Sequence, residues 1–449
     1  MASRSAALTT LPNREQKEPP TTTLITITNV EEIVLLLVLA IVVALIARRL
    51  RFPYTLALVL VGLVLGFVHV DPQLHLEPDL VLLLFLPALL FEGAWNVDVR
   101  ALRANWLAVA LLAGPGLLIS IGVVALALRF GAGLPVGVAL LIGAIVSPTD
   151  PVAVLGLLRQ LGMPRRLRLL VEAESLFNDG TGVVVFQVIL GALLLTIGAH
   201  SELMDGAWWG VALKVVWLLV GGPLIGVALG YVASRLISRF NDHLLETAIT
   251  FCVAYGSYLL ANELRTSGLL AVVCAALTMG SYGRRVGMSQ QTAEAVDMIW
   301  EFVSFIANCF LFLLLGIQIG EANLAPAVSP IIWAVVGVVV GRAVMIYLLL
   351  PLHDALGRWR VARAPHGRPL AAPIPPQWRP LLLLSGLRGA LSIALALSLP
   401  LAAPQRNTLA IIVYAVVLVT LVGQGIAMRF LLPRWPGLRR PQPVEAIAD

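Results

Sequence analysis

Residues 142–186 read IGAIVSPTDPVAVLGLLRQLGMPRRLRLLVEAESLFNDGTGVVVF, and this stretch decides how the rest of the chain is interpreted. It contains two apolar segments joined by a short arginine-rich connection. The first segment carries Asp150, and the second carries Glu172, Glu174 and Asp179. An ionised acid inside an apolar segment is costly, so these carboxylates indicate a functional site rather than simple packing.

The composition excludes an ordinary soluble protein. Of the 449 residues, 59% are hydrophobic and only 12% are charged, and the mean hydropathy is +0.92. The sequence therefore predicts an all-α polytopic membrane protein in contact with lipid. The net charge of +6 does not indicate nucleic-acid binding, because the basic residues recur at the ends of apolar segments instead of forming one patch. The three cysteines lie within apolar segments and fit neither a disulfide framework nor a zinc site.

Apolar segments of roughly 17 residues or more are long enough to cross the hydrocarbon core of a membrane as helices. We expect a polar N-terminal tail at residues 1–30, a membrane domain at 31–432 and a short tail at 433–449. The membrane domain contains about thirteen such segments: 31–50, 53–69, 79–96, 104–129, 134–157, 168–197, 207–237, 243–263, 266–283, 291–320, 327–352, 378–400 and 407–432.

The distribution of arginine and lysine predicts the orientation of these segments. Loops after odd-numbered segments, together with the C-terminal end, hold 22 basic residues, whereas loops after even-numbered segments and the N-terminal tail hold 6. Basic residues collect on the cytoplasmic side of a membrane. We therefore expect the N-terminus outside and the C-terminus in the cytoplasm, in a bacterial plasma membrane.

Two of the segments contain residues that interrupt a helix. The fifth carries SPTDP at residues 147–151, where each proline removes a backbone donor, and the twelfth carries SGLRGALS at 385–392. Irregular backbone at membrane depth is tolerated only where it is buried or lines a watery cavity, so the two breaks are expected to face one another. They are the fifth members of segments 1–6 and 8–13, which predicts inverted repeats of six helices with two crossing discontinuous helices, an arrangement typical of secondary transporters.

The sixth segment places its polar residues on one helical face. At 100° per residue, Glu174, Ser175, Asn178 and Asp179 fall within roughly 140° of arc. Their donors are oxygen atoms of carboxylates, a hydroxyl and an amide, which suit hard monovalent cations better than zinc or copper. Desolvation favours the neutral form of a carboxylic acid, so a proton and a cation can compete for Asp179. The alternative for Asp179 is a structural carboxylate between helices.

The residues of the first break have two possible roles each. Asp150 either takes part in the cation and proton site or mainly offsets the positive ends of the half-helices. Thr149 contributes either a hydroxyl or a freed carbonyl to the site, or it only caps a helix.

Two arginines lie alone in apolar segments. Arg342 requires a buried partner, for which Glu174 is the candidate, because an unpaired buried charge is far costlier than a pair. Arg388 is expected to stabilise carbonyl groups released at the second break, with snorkelling towards the membrane surface as the alternative. Glu92 lines a cytoplasmic funnel or simply ends its helix.

Five runs together resemble one known family: FLPALLFEGAW at 85–95, SPTDPVAV at 147–154, EAESLFNDGTGVVVF at 172–186, FLFLLLGIQI at 310–319 and GLRGALSIALAL at 386–397. The family is the monovalent cation:proton antiporter-1 family, the sodium/proton exchangers. The resemblance implies thirteen helices, a homodimer formed through one domain, and a six-helix core domain that moves like an elevator. It also implies that Asn178 and Asp150 hold the crossing helices, that Arg342 pairs with Glu174, and that no cofactor is needed.

The resemblance further implies a Na⁺ site. Asp179 would be the carboxylate shared by Na⁺ and H⁺, and Glu174, Ser175 and the Thr149 carbonyl would complete the ligands. An Asn–Asp pair such as Asn178–Asp179 accompanies electroneutral, one-for-one exchange in this family.

Other functions are compatible with parts of the pattern. A K⁺/H⁺ or other solute/H⁺ exchanger would use the same scaffold. An intramembrane aspartyl protease needs two embedded aspartates, which Asp150 and Asp179 supply, but the Gly-x-Gly-Asp surroundings of such enzymes are absent. A non-transporting sensor or scaffold is the third hypothesis. The sequence contains no Walker motif, so ion gradients would drive transport.

Overall fold

The computed structural model describes residues 27–50, 52–69, 78–160, 162–199, 201, 203–204, 207–239, 242–323, 325–363 and 373–431. These residues are helical, without strands. The C-terminal tail and nearly all of the N-terminal tail predicted from the sequence lie outside them. The helices are α1 (Ile27–Arg49), α2 (Tyr54–Phe67), α3 (Leu80–Trp95), α4 (Val99–Gly131), α5 (Val136–Val146), α6 (Val152–Gln160), α7 (Arg165–Thr196), α8 (Trp208–Ile237), α9 (His243–Glu263), α10 (Gly268–Thr278, extended by a π-helical turn at Met279–Gly283), α11 (Gln290–Glu321), α12 (Val328–Arg363), α13 (Arg379–Leu384), α14 (Ala390–Leu397) and α15 (Arg406–Met428).

Each predicted apolar segment coincides with one helix or with a pair of short helices. Within the described ranges, seven helices are long and apolar enough to cross a membrane by length and composition alone. They are α4, α7, α8, α9, α11, α12 and α15. The outward surface is apolar, as on α8, where Leu213 is 64% and Leu224 is 59% exposed. Such a surface suits lipid, and the chain is an integral membrane protein.

The two predicted breaks cross each other. The fifth segment divides into α5 and α6 at residues 147–151, and the twelfth divides into α13 and α14 at 385–389. The Asp150 backbone N–H donates a hydrogen bond of 2.9 Å to the Leu387 carbonyl, which joins the two irregular segments directly. A Cβ at Gly389 would overlap the Asp150 side chain, so glycine permits this close approach.

The helix contacts follow the predicted inverted repeat. In the second repeat, α10 is the counterpart of α2, and α11 is the counterpart of α3. The packing of α2 against α11 therefore has its equivalent in the packing of α10 against α3, and both contacts are present. The first of them is unusually close, because Cβ atoms at Gly62 and Gly316 would overlap the backbone of the facing helix. Small residues allow such approach between membrane helices.

The contacts also divide the helices into two groups. Helices α4–α7 and α12–α15 pack around the crossing breaks, and helices α1–α3 and α8–α11 form the second group. We call these the crossing group and the flanking group. The cavities described below lie between them.

Candidate functional site

The polar face of α7 is buried inside the protein. Glu174, Ser175 and Asn178 are 1–2% exposed, and Asp179 is 9% exposed. The 32-residue helix is continuous through this face, so the spacing of the four residues is fixed by helix geometry. The structure nevertheless turns them towards three different neighbours.

Ser175 and Asn178 contact the first break. The Thr149 and Ser175 hydroxyl oxygens are 3.0 Å apart, and the Asn178 amide nitrogen donates to the Thr149 hydroxyl at 2.9 Å. The Asn178 amide oxygen accepts from the Thr149 backbone N–H at 3.4 Å. Asn178 therefore ties α7 to the irregular backbone by both halves of its amide group.

Asp150 lies where two half-helices begin. Its carboxylate accepts a hydrogen bond of 2.9 Å from the Val152 N–H, at the start of α6, and it lies against Gly389, at the start of α14. Negative charge is favourable at a helix N-terminus, and here one carboxylate serves two of them. This geometry matches the dipole-offsetting alternative raised for Asp150 by the sequence.

Glu174 faces α12 instead of the break. Its carboxylate forms an ion pair with the Arg342 guanidinium, which is 3% exposed, and the second pair of atoms in this contact is 3.0 Å apart. Arg342 also donates to the Leu382 carbonyl at 3.1 and 2.9 Å. The arginine thereby joins α12, α7 and the end of α13, with its charge matched inside the protein.

Arg388 is fully buried at the second break. Its Nη1 donates to the Gly386 carbonyl at 2.7 Å. The expected contact with a carbonyl of the break is therefore present, and the guanidinium does not reach the membrane surface. Within the described residues its Nε and Nη2 atoms have no hydrogen-bond partner.

Asp179 faces a cavity. The cavity has a volume of about 590 Å³ and is lined by residues of both helix groups, including Thr149, Asp150, Asp179 and Asn308. Glu174, Ser175 and Asn178 are not among the lining residues. In the part of the chain that the structure describes, no hydrogen-bond donor or cationic side chain contacts the Asp179 carboxylate. Asp179 is therefore the buried acid of this helix that is available to a ligand.

Further charged residues line the same cavity. Glu92, Glu172 and Glu301 contribute carboxylates, and Arg48 and Arg159 contribute positive charge. The Arg159 and Glu172 side chains are 3.9 Å apart, with Arg159 57% exposed. A cavity lined by an excess of acids concentrates cations. The face that bears Arg48 and Arg159 is the one that the arginine distribution assigns to the cytoplasm.

A second cavity of about 700 Å³ lies between the two helix groups and begins one turn beyond Asp179. Val183 and Gln187 of α7 line it, together with Leu269 and Leu395. Gly180 separates these residues from Asp179 along α7, and a Cβ at Gly180 would overlap the Leu270 side chain. Close packing of α7 on α10 therefore lies between the two cavities, and Asp179 opens to the first of them.

The comparisons with known proteins agree with this architecture. A family model described as "Sodium/hydrogen exchanger, transmembrane" matches residues 34–434. The chain belongs to the sodium/hydrogen exchanger family. This is the family that its sequence motifs resemble, and its members are secondary transporters rather than enzymes.

Similar proteins include bacterial antiporters and a solved archaeal structure. A low-affinity Na⁺/H⁺ antiporter of Synechocystis, NhaS1, is 37% identical over 85% of this chain and 69% of its own length. The Na⁺/H⁺ antiporter ApNhaP of Aphanothece halophytica is 38% identical over 86% of this chain and 70% of its own length. The sodium proton antiporter MjNhaP1 of Methanocaldococcus jannaschii has the same fold, with a TM-score of 0.69 at 20% identity, covering 92% of this chain and 99% of that structure.

Some residues of the cavity were not singled out from the sequence. Asn308 and Ser304 on α11 and Ser392 on α14 line it beside the aspartates. The available signal was an isolated asparagine in the apolar run FIANCFLFLLLGI at residues 305–317, because an amide within a membrane helix is rare unless it has a role. Ser392 belongs to the SGLRGALS motif, in which a serine gives no signal beyond that of the glycines and Arg388.

Proposed function

We propose that this chain exchanges Na⁺ for H⁺ at Asp179 by alternating access. The observation that carries the proposal is the Asp179 carboxylate, which faces a membrane-depth cavity without a donor or cation from the described protein. A carboxylate in that position binds either a proton or a hard cation, and it cannot hold both. The names of the relatives, Na⁺/H⁺ antiporters, support the choice of ions.

The charges around the crossing support one-for-one exchange. Arg342 and Arg388 bring two positive charges, and Glu174 and Asp150 bring two negative ones. Asp179 is the remaining charge, and one Na⁺ or one H⁺ neutralises it. The site is then neutral both with Na⁺ bound and with H⁺ bound. Neither the Na⁺-bound nor the protonated site carries net charge across the membrane, so the exchange is electroneutral.

The proposed Na⁺ ligands come from the family resemblance and from the neighbours of Asp179. Asp179 would supply the charge, and Thr149, which lines the same cavity, would supply an oxygen atom from the break. The Ser175 hydroxyl does not line the cavity and would support Thr149 from 3.0 Å. Glu174 would support the site without contacting Na⁺, because its carboxylate is bound by Arg342.

The same proposal covers the movement, the assembly and the orientation of the protein. The crossing group would move as the transport domain, and the flanking group would form a homodimer through its exposed apolar helices. The arginine distribution supports an outside N-terminus and a cytoplasmic C-terminus. The bacterial relatives support a bacterial plasma membrane. The polar tails at 1–30 and 433–449 would then lie on opposite sides.

The test is an exchange assay on purified protein in liposomes containing a pH-sensitive dye. An imposed Na⁺ gradient should move protons without a voltage-clamping ionophore, and Asp179→Asn should abolish the signal. Asp98→Asn is the matched control, because Asp98 caps α4 with a hydrogen bond of 2.8 Å from Arg100 N–H and asparagine caps a helix equally well. Exchange that persists in Asp179→Asn would refute the proposal. Replacing Na⁺ by Li⁺ or K⁺ separates the sodium from the potassium exchanger.

A further inference from the structure

Part of the cavity wall near Asp179 is polar without carrying charge. Asn308 and Ser304 stand one turn apart on α11 of the flanking group, and Ser392 stands on α14 of the crossing group. Helices α11 and α14 are in contact. Polar residues from both helix groups therefore line the cavity that contains the proposed exchange carboxylate.

Two of these polar groups are buried without a protein partner. Asn308 is 3% exposed, its amide nitrogen donates to the Ser304 hydroxyl at 3.4 Å, and its amide oxygen accepts no hydrogen bond among the described residues. Ser392 is 1% exposed, and its hydroxyl likewise has no partner there. A buried polar atom without a partner costs the full desolvation penalty of that group, so native proteins retain few of them.

The chemistry of these atoms fits a cation and does not fit a proton. Amide and hydroxyl oxygens are hard neutral donors, the kind that replaces part of the hydration shell of a monovalent cation. Neither group titrates near neutral pH, so neither can carry the proton in the exchange. A cation needs several oxygen ligands at once, whereas the proton needs only one carboxylate oxygen.

We propose that Asn308 and Ser392 form a cation-specific entry subsite on the path to Asp179, which raises the apparent affinity for Na⁺ and takes no part in proton binding. The inference rests on the proposed Na⁺/H⁺ exchange and adds these two residues to it. Because Asn308 and Ser392 belong to different helix groups, the subsite is complete only while the two groups are aligned as in this structure. It would act on the cation as it enters from this cavity.

The test separates the two ions of the exchange. In liposomes, Asn308→Leu and Ser392→Ala should each raise the apparent KM for Na⁺ about fivefold, and the double variant should raise it further. The maximal rate at saturating Na⁺ and the pH at which that rate is half-maximal should stay at the wild-type values. The conservative variant Asn308→Asp keeps oxygen ligands and should bind Na⁺ better than Asn308→Leu. Comparing the two variants also controls for a folding defect of the leucine variant.

Ser120→Ala is the matched control. Ser120 is 2% exposed and its hydroxyl also lacks a partner among the described residues, but it does not line the cavity. Its KM for Na⁺ should be unchanged. A second readout is the increase of the unfolding temperature that Na⁺ produces in detergent, which should shrink in Asn308→Leu and not in Ser120→Ala.

The possible failures are distinguishable. If Asp179→Asn stops exchange while Asn308→Leu and Ser392→Ala keep the wild-type KM for Na⁺, the subsite is refuted and the proposed function stands. If KM and the half-maximal pH shift together, or if the maximal rate alone falls, the two residues have a structural role and the inference is refuted. If Asp179→Asn still exchanges Na⁺ for H⁺, the proposed function itself is refuted.

Discussion

The four carboxylates of residues 142–186 lie in four different environments. Glu174 is paired with Arg342, Asp150 caps α6 and lies against the start of α14, Glu172 stands beside Arg159 in the cavity, and Asp179 faces the cavity unpaired. Helical periodicity correctly predicts that Glu174 and Asp179 share the buried side of α7. It does not predict their separation, because Arg342, which takes up Glu174, lies 168 residues later in the chain.

The pair between Arg342 and Glu174 is expected to matter mainly for stability. Arg342→Met leaves a buried carboxylate without its partner, which costs about 3–5 kcal/mol. Arg342→Met combined with Glu174→Gln removes both charges and should recover much of the loss. Thermal unfolding of the detergent-purified protein measures both effects.

Arg159→Met is the contrasting control for that prediction. The Arg159 side chain is 57% exposed and lies 3.9 Å from that of Glu172, which is 14% exposed. A pair at this distance with one solvent-exposed partner contributes only about 0–1 kcal/mol. Its unfolding temperature should stay close to that of the wild type. Equal losses in Arg342→Met and Arg159→Met would contradict the distinction between a buried and an exposed pair.

At the scale of helices, the breaks could be predicted and their junction could not. Pro148 and Pro151 remove backbone donors, which makes an interruption of that segment predictable from local sequence. The hydrogen bond from Asp150 N–H to the Leu387 carbonyl depends on how two distant segments cross. The hydrogen bonds of the Thr149 hydroxyl with Ser175 and Asn178 depend on the same crossing, and the spacing of these two residues on α7 does not predict them.

The junction makes Gly389 sensitive to a single methyl group. Gly389→Ala places a Cβ where the Asp150 side chain lies, so one of the two must move. We expect a large loss of exchange and a lower unfolding temperature, because Asp150 would leave the starts of α6 and α14. Gly423→Ala provides the control, since a Cβ there meets nothing within 4 Å. Wild-type exchange in Gly389→Ala would show that the close crossing is not needed for function.

For the molecule as a whole, the sequence predicts the inverted repeat but not the side to which the exchange site opens. The order of segments and the positions of the breaks predicted an inverted repeat, and the paired contacts of α2 with α11 and of α10 with α3 agree with it. The cavity to which Asp179 opens depends on the relative position of the two helix groups. The same helix patterns are compatible with an arrangement in which Asp179 opens to the first cavity and with one in which it opens to the second. No segment of the sequence therefore specifies which arrangement is adopted.

The two cavities lead to a prediction about sidedness. Gly156 lines the cavity of Asp179, and Gln187 lines the second one; both positions are exposed. A Cβ at Gly156 meets nothing within 4 Å, so Gly156→Cys should fold normally. If the arginine-rich face is cytoplasmic, a membrane-impermeant thiol reagent should label Gly156→Cys only from the cytoplasmic side and Gln187→Cys only from outside.

The labelling experiment uses inside-out and right-side-out vesicles and a background in which the native cysteines are replaced. The background matters because Cys252 is itself exposed. Labelling of Gly156→Cys should slow when Na⁺ is bound in the same cavity, and Asp179→Asn should remove that protection, since the carboxylate holds the cation. Labelling of Gly156→Cys from the outside only would reverse the orientation derived from the arginines. Equal labelling of Gly156→Cys from both sides would mean that the packing of Gly180 against Leu270 does not separate the cavities in the membrane.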